Sequence, residues 1–332
     1  MDHRKETLWR ALPFVMAMLL LTLVPATSAS ALFRRAGAEQ TQQGAPIARS
    51  AEIRAYRGVP YAGTLRAVDN EGEAMTFSIL SAPVKGTLSL DGDAFVYTPD
   101  PNRAGTDSFT FAATDESGHV SAGAEVKIRI ERAASGVRYA DMEAHPAATA
   151  AVDLAEHGVF VGTQVGGSWF FEPEHTLSRS EFVAMAMAAA GLKPSSVTVT
   201  GFCDDESIPA WAKSYAAGAL ASGVVRGVAT EEGVAFLGGE TVTLDQAAVV
   251  LNRLLGVTDV DMSDYYGEDA DAWYAQAVMN LESVSILSAG SFAGSDPSRA
   301  LTRAEAAELL SAAMALVEAR RADDTLWARL FG

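Results

Sequence analysis

A pattern that occurs three times in phase constrains the fold of this chain more than any other sequence feature. Each copy has a tryptophan or proline where a helix should begin, at Pro146, Trp211 and Trp273. Twelve residues later each copy has a glycine or serine where that helix should turn, at Gly158, Gly223 and Ser285. A short motif follows, its third position 33, 33 and 30 residues after the opening residue. Units repeated in register are expected to pack on one another and to share a core.

The recurring motif predicts a helix start. Ser or Thr followed three residues later by Glu or Gln is a capping box, in which each side chain accepts a hydrogen bond from the other residue's backbone N–H. The predicted pairs are Ser178 with Glu181, Thr243 with Gln246, and Thr302 with Glu305. Apolar, alanine-rich helices are expected next, at 182–190, 247–255 and 306–317.

Strands replace helices in the first half of the chain. Apolar and polar residues alternate with a period of two through 75–79, 95–97, 108–111 and 125–130. Asp, Asn and Gly turns separate these runs. About seven short strands over roughly 80 residues predict a β-sandwich. An Ala/Ser/Gly linker at 131–137 is expected to lead into the helical repeats.

The first 31 residues have the features of a secretion signal. Arg4, Lys5 and Arg10 precede an apolar run at 11–24, and small residues at 29–31 form a cleavage site. The alternative is an uncleaved membrane anchor, but the run is shorter than the ~20 residues that span a bilayer. We therefore expect a secreted protein of the cell surface or cell wall, with a flexible lead-in at 32–47 and no membrane contact after cleavage.

The charge of the chain limits its partners. The formal net charge is −17, and removal of the signal leaves −18, which makes nucleic acid an improbable partner. The same field repels an anionic wall polymer at long range, so binding such a polymer requires a local cationic pocket. Cys203 is the one cysteine, so an internal disulfide is excluded.

Residues 48–132 are similar to the bacterial cadherin-like modules of surface proteins. The similarity rests on turn and strand motifs at 68–72, 85–88, 95–100 and 105–109. It implies an all-β sandwich as the N-terminal domain of a multidomain chain.

Residues 138–321 resemble S-layer homology repeats, which usually occur as three consecutive copies. The resemblance rests on aromatic-x-Asp starts at 139–141 and 202–204, on the tryptophan-led helices, and on Thr-Arg-Ala-Glu at 302–305. It implies an all-α bundle with pseudo-threefold symmetry and binding grooves between neighbouring units. The implied repeats span 138–192, 201–257 (with a degenerate motif) and 263–321, followed by a tail at 322–332.

Two arginines at the motif are the candidate binding residues. Arg179 and Arg303 hold the first helical position, where a cation opposes the positive end of the helix dipole, and capping does not explain them. A guanidinium at a helix start is a good receptor for a carboxylate. The alternative is that each arginine pairs with a nearby Asp or Glu. The resemblance implies the first interpretation, because S-layer homology repeats bind secondary cell-wall polysaccharides that carry ketal-linked pyruvate.

Three tryptophans are candidates for contacts with sugars. Trp211 and Trp273 open their helices, and Trp169 lies in a predicted inter-helix loop. Indole rings stack on sugar faces, but a tryptophan at the start of an amphipathic helix also packs into a core with its N–H paired. Leu244 replaces the motif arginine of the second copy, so fewer than three working pockets are expected.

The sequence favours a non-enzymatic function. The five histidines lack metal-ligand spacing, and no phosphate-binding loop or nucleophile motif occurs. No cofactor is expected, although acidic turns at 69–71 and 91–93 offer calcium ligands as an alternative to solvated turns. The leading hypothesis is anchoring to the wall polysaccharide, with the sandwich as a spacer or display module. The alternative is an adhesin or self-assembling S-layer component whose sandwich binds a ligand and whose repeats associate with one another.

Overall fold

The computed structural model describes residues 44–143, 145–197, 199–261, 271–287 and 296–331, with the backbone alone at 323–331. The predicted signal at 1–31 and most of the predicted lead-in lie outside the described residues. Within the described ranges, no helix combines the length and the apolar character that a membrane crossing requires. From Gly44 onward the chain forms one compact unit.

The first part of this unit is a β-sandwich. A four-stranded sheet has the order β2-β9-β8-β5 and a three-stranded sheet has the order β3-β7-β6, while β1 pairs with β4. Strand β2 runs parallel to β9, and the other pairs are antiparallel. The strands are β1 (Ile47–Ala48), β2 (Ala51–Tyr56), β3 (Tyr61–Thr64), β4 (Ala67–Val68), β5 (Thr76–Ser81), β6 (Gly86–Asp91), β7 (Ala94–Pro99), β8 (Gly105–Thr114) and β9 (Ala124–Glu131).

Alternation of side chains builds the sandwich core. Val126, Ile128 and Ile130 of β9 face inward, whereas Lys127 and Arg129 between them face solvent. The three inward side chains belong to one apolar cluster that also contains aromatic residues of β7 and β8. The predicted sandwich is therefore present.

The second part contains helical units. The helices are α1 (Ala148–Glu156), α2 (Arg179–Ala189), α3 (Ala210–Ala221), α4 (Leu244–Leu255), α5 (Ala275–Ser283) and α6 (Arg303–Phe331). Each motif helix, α2, α4 and α6, begins at the predicted position. The predicted third repeat is described only in part, because 262–270 and 288–295 lie outside the described residues.

A short β-hairpin stands between the helices of each of the first two units, and in the first unit it replaces the predicted loop at Trp169. Strand β10 (Thr163–Val165) pairs with β11 (Ser168–Phe170), and β12 (Val228–Thr230) pairs with β13 (Gly233–Ala235). Gly162 precedes the first hairpin in a left-handed conformation, and a Cβ there would collide with the Phe170 carbonyl. Gly227 holds the equivalent place before the second hairpin, with a left-handed φ and the Ala235 carbonyl close to where a Cβ would lie. Glycine at this position is thus a requirement of hairpin geometry.

The three motif segments meet in a closed ring of backbone hydrogen bonds. The Leu177 N–H donates to the Leu301 carbonyl (3.1 Å), the Leu301 N–H to the Val242 carbonyl (3.0 Å), and the Val242 N–H to the Leu177 carbonyl (2.9 Å). All three side chains are buried in one apolar cluster. The ring brings equivalent residues of the three copies together in cyclic order.

A buried carboxylate joins the sandwich to the helices. Asp153 on α1 accepts hydrogen bonds from the hydroxyls of Tyr56 and Ser311 (2.6 Å each) and from the Arg54 guanidinium (3.1 Å). Tyr56 also packs in the same apolar cluster as the helices. The predicted linker is also attached to α1, because Glu156 of that helix accepts hydrogen bonds from backbone N–H groups of the linker. The two parts therefore share a fixed joint.

Candidate ligand pockets at the starts of the motif helices

The first backbone donors of each motif helix bind the loop of another unit. The Arg179 N–H donates to the Glu240 carbonyl (2.8 Å), the Leu244 N–H to Arg299 (3.2 Å), and the Arg303 N–H to His175 (2.8 Å). The next N–H in each helix donates to a carbonyl two residues earlier in the same loop, at Gly238, Pro297 and Pro173 respectively. The first two N–H groups of each motif helix are therefore already bonded to carbonyls of the chain.

The predicted capping boxes form in α2 and α6 but not in α4. In α2 the Glu181 N–H donates to the Ser178 hydroxyl (3.3 Å) and the Ser178 N–H to the Glu181 carboxylate (2.8 Å). Thr302 and Glu305 make the same pair of contacts in α6. In α4 the Thr243 hydroxyl bonds to the Asp245 carboxylate instead, and Gln246 does not cap. The expectation for Thr243 and Gln246 is wrong because a nearer carboxylate takes the hydroxyl.

The two capping carboxylates are held in the charged form. Burial alone would raise the pKa of Glu181, but hydrogen bonds from Ser178 and the charges of His175 and Arg303 lower it overall. Burial also raises the pKa of Glu305, but hydrogen bonds and charge, chiefly those of Arg299, outweigh burial and lower the pKa overall. The Arg299 guanidinium lies 2.6 Å from the Glu305 carboxylate.

Arg303 is paired within the chain. Its Nη1 donates to the Phe171 carbonyl (2.7 Å) and to the Glu172 carboxylate (3.0 Å). Its guanidinium also lies 4.8 Å from the centroid of the Phe160 ring, in cation–π geometry. The side chain is only 7% exposed. In this structure Arg303 therefore follows the second interpretation, an arginine paired with a neighbouring carboxylate.

Arg179 has no ion pair with any described residue. Its Nη2 donates to the Gln246 side-chain oxygen (3.1 Å), while its Nε is buried with no partner among the described residues. The hydroxyl of the adjacent Ser180, a residue 3% exposed, is likewise buried and unpartnered. Burial lowers the pKa of Arg179, and the charges of nearby carboxylates, Glu240 first, oppose this. Arg179 is thus a half-buried cation without an ion pair in the described part of the chain, whereas its unpartnered Nε is a feature that it shares with Arg303.

The two pockets differ at equivalent positions of the repeat. Glu172, which pairs with Arg303, corresponds to Leu237 beside Arg179, and both residues adopt a left-handed φ, 56° and 55°. Phe160, the ring beneath Arg303, corresponds to Val225. The carboxylate and the aromatic ring that contact Arg303 are therefore both replaced by aliphatic residues at the equivalent positions of the next unit.

Two aspartates that were assigned no role hold the loops of these pockets. Asp141 accepts hydrogen bonds from the Glu172 N–H (2.7 Å) and from the residue before it. Asp204 does the same for the Leu237 N–H (2.8 Å) and its predecessor. The recurring aromatic-x-Asp start was the sequence signal that could have identified these two aspartates. Each of them fixes the backbone at the position that is Glu172 in the first unit and Leu237 in the second.

Trp211 and Trp273 are exposed, by 53% and 64%. The core-packing interpretation of these two residues is therefore wrong. Trp273 meets Tyr274 edge to face, with ring centroids 5.8 Å apart. Trp169 lies on strand β11, not in a loop, and is half-buried against the apolar cluster of the helices. Among the three candidates, Trp211 and Trp273 present free ring surface.

The acidic turn at 69–71 is organised by hydrogen bonds to its own backbone. Asp69 accepts hydrogen bonds from the N–H groups of Glu71 (3.1 Å) and Glu73 (2.8 Å), which closes the turn. The described residues contain no group of three or more His, Cys, Asp or Glu arranged to hold a metal ion. Cys203 is exposed as a free thiol.

Comparison with known proteins identifies one module. Residues 43–132 match the family model of the bacterial cadherin-like domain, which confirms that prediction. No S-layer homology family model matches the chain, and a search of curated proteins found no match.

Similar solved structures cover only part of the chain. They include an endo-fucoidan hydrolase of glycoside hydrolase family 107 (27% identity, TM-score 0.23, 27% of this chain). The others are the SrpA adhesin R347E mutant from Streptococcus sanguinis (20%, 0.22, 30%) and the titin M3 domain (15%, 0.18, 27%). The chain spans 14% of the hydrolase, 63% of the adhesin and 100% of the titin domain. TM-scores this low carry no argument about activity.

Proposed function

We propose that this chain is a non-enzymatic anchor of the bacterial cell surface, exported by its N-terminal signal. Residues 138–321 act as three S-layer homology repeats that bind a secondary cell-wall polysaccharide bearing ketal-linked pyruvate. The cadherin-like module at 43–132 serves as the spacer or display module. The observation that carries this proposal is the half-buried guanidinium of Arg179, which lacks a carboxylate partner among the described residues.

A carboxylate is the ligand that this pocket fits best. Burial has already removed part of the hydration of Arg179, so the cation gains from an anion more than an exposed arginine would. A hydrogen bond to a charged partner contributes roughly 1.5–3 kcal/mol. Among the described residues the guanidinium of Arg179 makes one side-chain hydrogen bond, to Gln246, and a carboxylate offers oxygens that accept from its remaining Nη–H groups.

The cyclic contacts support a pseudo-threefold arrangement of the repeats. Each motif helix starts on the loop of another unit, and Leu177, Val242 and Leu301 close one ring. This arrangement makes every pocket a contact between two units, as the family resemblance implies. It also explains how copies with degenerate motifs remain useful, since they build walls for their neighbours.

Exposed tryptophans supply a second kind of contact that suits a glycan. Trp211 and Trp273 occupy equivalent positions at the start of the first helix of their units, and both are largely exposed. Indole faces stack on the apolar faces of sugar rings, so the polymer backbone would lie on these rings.

The proposal is tested by sedimentation of the mature protein with bacterial wall sacculi that carry a pyruvylated polysaccharide. Binding is expected to be lost when the pyruvate is removed by mild acid, and to fall about ten- to a hundredfold for Arg179→Ala. Arg138→Ala, which removes an exposed arginine of the same unit, is the matched control and should bind as the parent does. Equal binding of the parent to sacculi with and without pyruvate would refute the proposal.

A further inference from the structure

We infer that the chain fills one of its own two arginine pockets, so that the residue at 172 or 237 decides which pocket accepts an external carboxylate. The inference rests on the proposed function and deepens it. It assigns one working carboxylate site per chain, at Arg179, and a second site at Arg303 that is closed by Glu172.

Glu172 stands where a ligand carboxylate would stand. Its Oε2 lies 3.0 Å from Nη1 of Arg303, and its side chain is 54% exposed whereas that of the arginine is 7% exposed. The carboxylate therefore covers the solvent side of an otherwise buried guanidinium. An external anion would have to approach from that side and displace it.

The internal carboxylate holds a large advantage over an external one. A tethered group acts at an effective concentration of roughly millimolar or higher, which a dilute ligand must exceed in order to compete. The backbone of residue 172 is also fixed, because Asp141 accepts its N–H hydrogen bond. The charge of Arg303 is thus already neutralised, and an added anion would meet the like charge of Glu172.

The backbone at the other pocket is the same and only the side chain differs. Leu237 has the same left-handed φ as Glu172, and Asp204 accepts its N–H hydrogen bond as Asp141 does for Glu172. A leucine cannot neutralise Arg179. Exchange of these two residues is therefore a change of side-chain chemistry on a backbone that the chain already tolerates.

The test is an isothermal calorimetric titration of the mature protein with the methyl glycoside of a hexose that carries a 4,6-pyruvate ketal. The parent is expected to bind one equivalent, Glu172→Leu two, and Leu237→Glu none. The double variant Glu172→Leu/Leu237→Glu should again bind one equivalent. In that background Arg303→Ala should abolish binding, whereas Arg179→Ala should leave it unchanged. Glu174→Gln, which removes a neighbouring carboxylate that does not contact Arg303, should bind one equivalent as the parent does.

The outcomes separate this inference from the proposed function. If the parent binds one equivalent through Arg179 but Glu172→Leu gains none, the self-occupied pocket is refuted and anchoring stands. If neither the parent nor Glu172→Leu binds the glycoside, both proposals fail together. Leu237→Glu provides a second reading should Glu172→Leu fold poorly, since retention of binding by a folded Leu237→Glu also overturns the inference. Thermal melts of every variant establish that it is folded.

Discussion

The hydroxyl of Tyr56 donates a 2.6 Å hydrogen bond to Asp153, and this contact fastens the β-sandwich to the helical units. The same carboxylate accepts from Arg54 of the sandwich and from Ser311 of α6. These contacts hold the sandwich at a set orientation to the helical units, which a flexible linker would not provide.

Asp153→Ala is expected to uncouple the two parts. It leaves the hydroxyls of Tyr56 and Ser311 without their acceptor and leaves Arg54 with Glu318 at 3.8 Å, and each unsatisfied buried donor costs about 1–3 kcal/mol. We expect one calorimetric transition for the parent and two for the variant. Tyr56→Phe should cost only about 1 kcal/mol, and Glu143→Ala, at an exposed position, should change nothing. A single unshifted transition for Asp153→Ala would contradict the coupling role.

Ser285→Gly is expected to stabilise the protein by about 1 kcal/mol. Ser285 adopts a φ of 63°, the left-handed region that Gly158 and Gly223 occupy in the other copies (67° and 73°). A residue with a Cβ pays roughly 1–2 kcal/mol there, which glycine avoids. The reverse change, Gly158→Ser, is the matched control and should lower the melting temperature. A lower melting temperature for Ser285→Gly would show that the serine is favoured by contacts of its own.

Much of this fold could be predicted from the sequence because its signals are local. The alternation of Val126, Ile128 and Ile130 gives strand β9, and the capping motifs place the starts of α2 and α6. The hairpins were missed because strands of three residues, such as β10, are too short to show a period of two. The repeated glycines before them were the available signal.

The candidate site was less predictable because it depends on contacts between distant residues. Arg303 and Glu172 are 131 residues apart, and Tyr56 and Asp153 are 97 apart. Local patterns say nothing about which loop meets which helix. The sequence shows Glu172 in the first copy and Leu237 at the equivalent position of the second. Which motif arginine each of these residues lies near depends on the cyclic order in which loops contact helix starts, and the sequence does not give that order.

The two motif arginines are expected to differ in their effects on stability. Arg303→Ala should cost about 1–3 kcal/mol, because it removes a buried side chain and leaves the Phe171 carbonyl without a donor. Arg179→Ala should change stability by no more than about 0.5 kcal/mol, since this cation has no ion pair among the described residues. Thermal melts of both variants measure the difference. Equal losses would mean that Arg179 has a structural role comparable to that of Arg303.

Stability is expected to fall as the pH falls below about 4.5. The pKa values of Glu181 and Glu305 are lowered from the ordinary 4.5 in the folded state, chiefly by hydrogen bonds that outweigh burial. A lowered folded-state pKa contributes stability that is present above the unfolded-state value and lost as the pH falls through the folded-state value. Glu181→Gln/Glu305→Gln should therefore show a shallower dependence of the melting temperature on pH between about 5 and 3 than the parent. Glu143→Gln, at an exposed position, serves as the control, and an unchanged slope in the double variant would contradict the assignment.

Removal of the two exposed indoles is expected to weaken wall binding while leaving the fold intact. Trp211 and Trp273 are more than half exposed, so Trp211→Ala/Trp273→Ala should change stability by only about 0.5 kcal/mol. Loss of stacking on sugar rings should reduce sedimentation with pyruvylated sacculi, and the reduction should persist at high salt because stacking is not screened, unlike the contribution of Arg179. Trp169→Ala provides the contrast, since that half-buried ring packs against the helical core and its removal should lower the melting temperature. If the double variant binds sacculi as the parent does but loses a concentration-dependent increase in mass by analytical ultracentrifugation, the exposed rings serve association between copies of the chain and the glycan-stacking role is wrong.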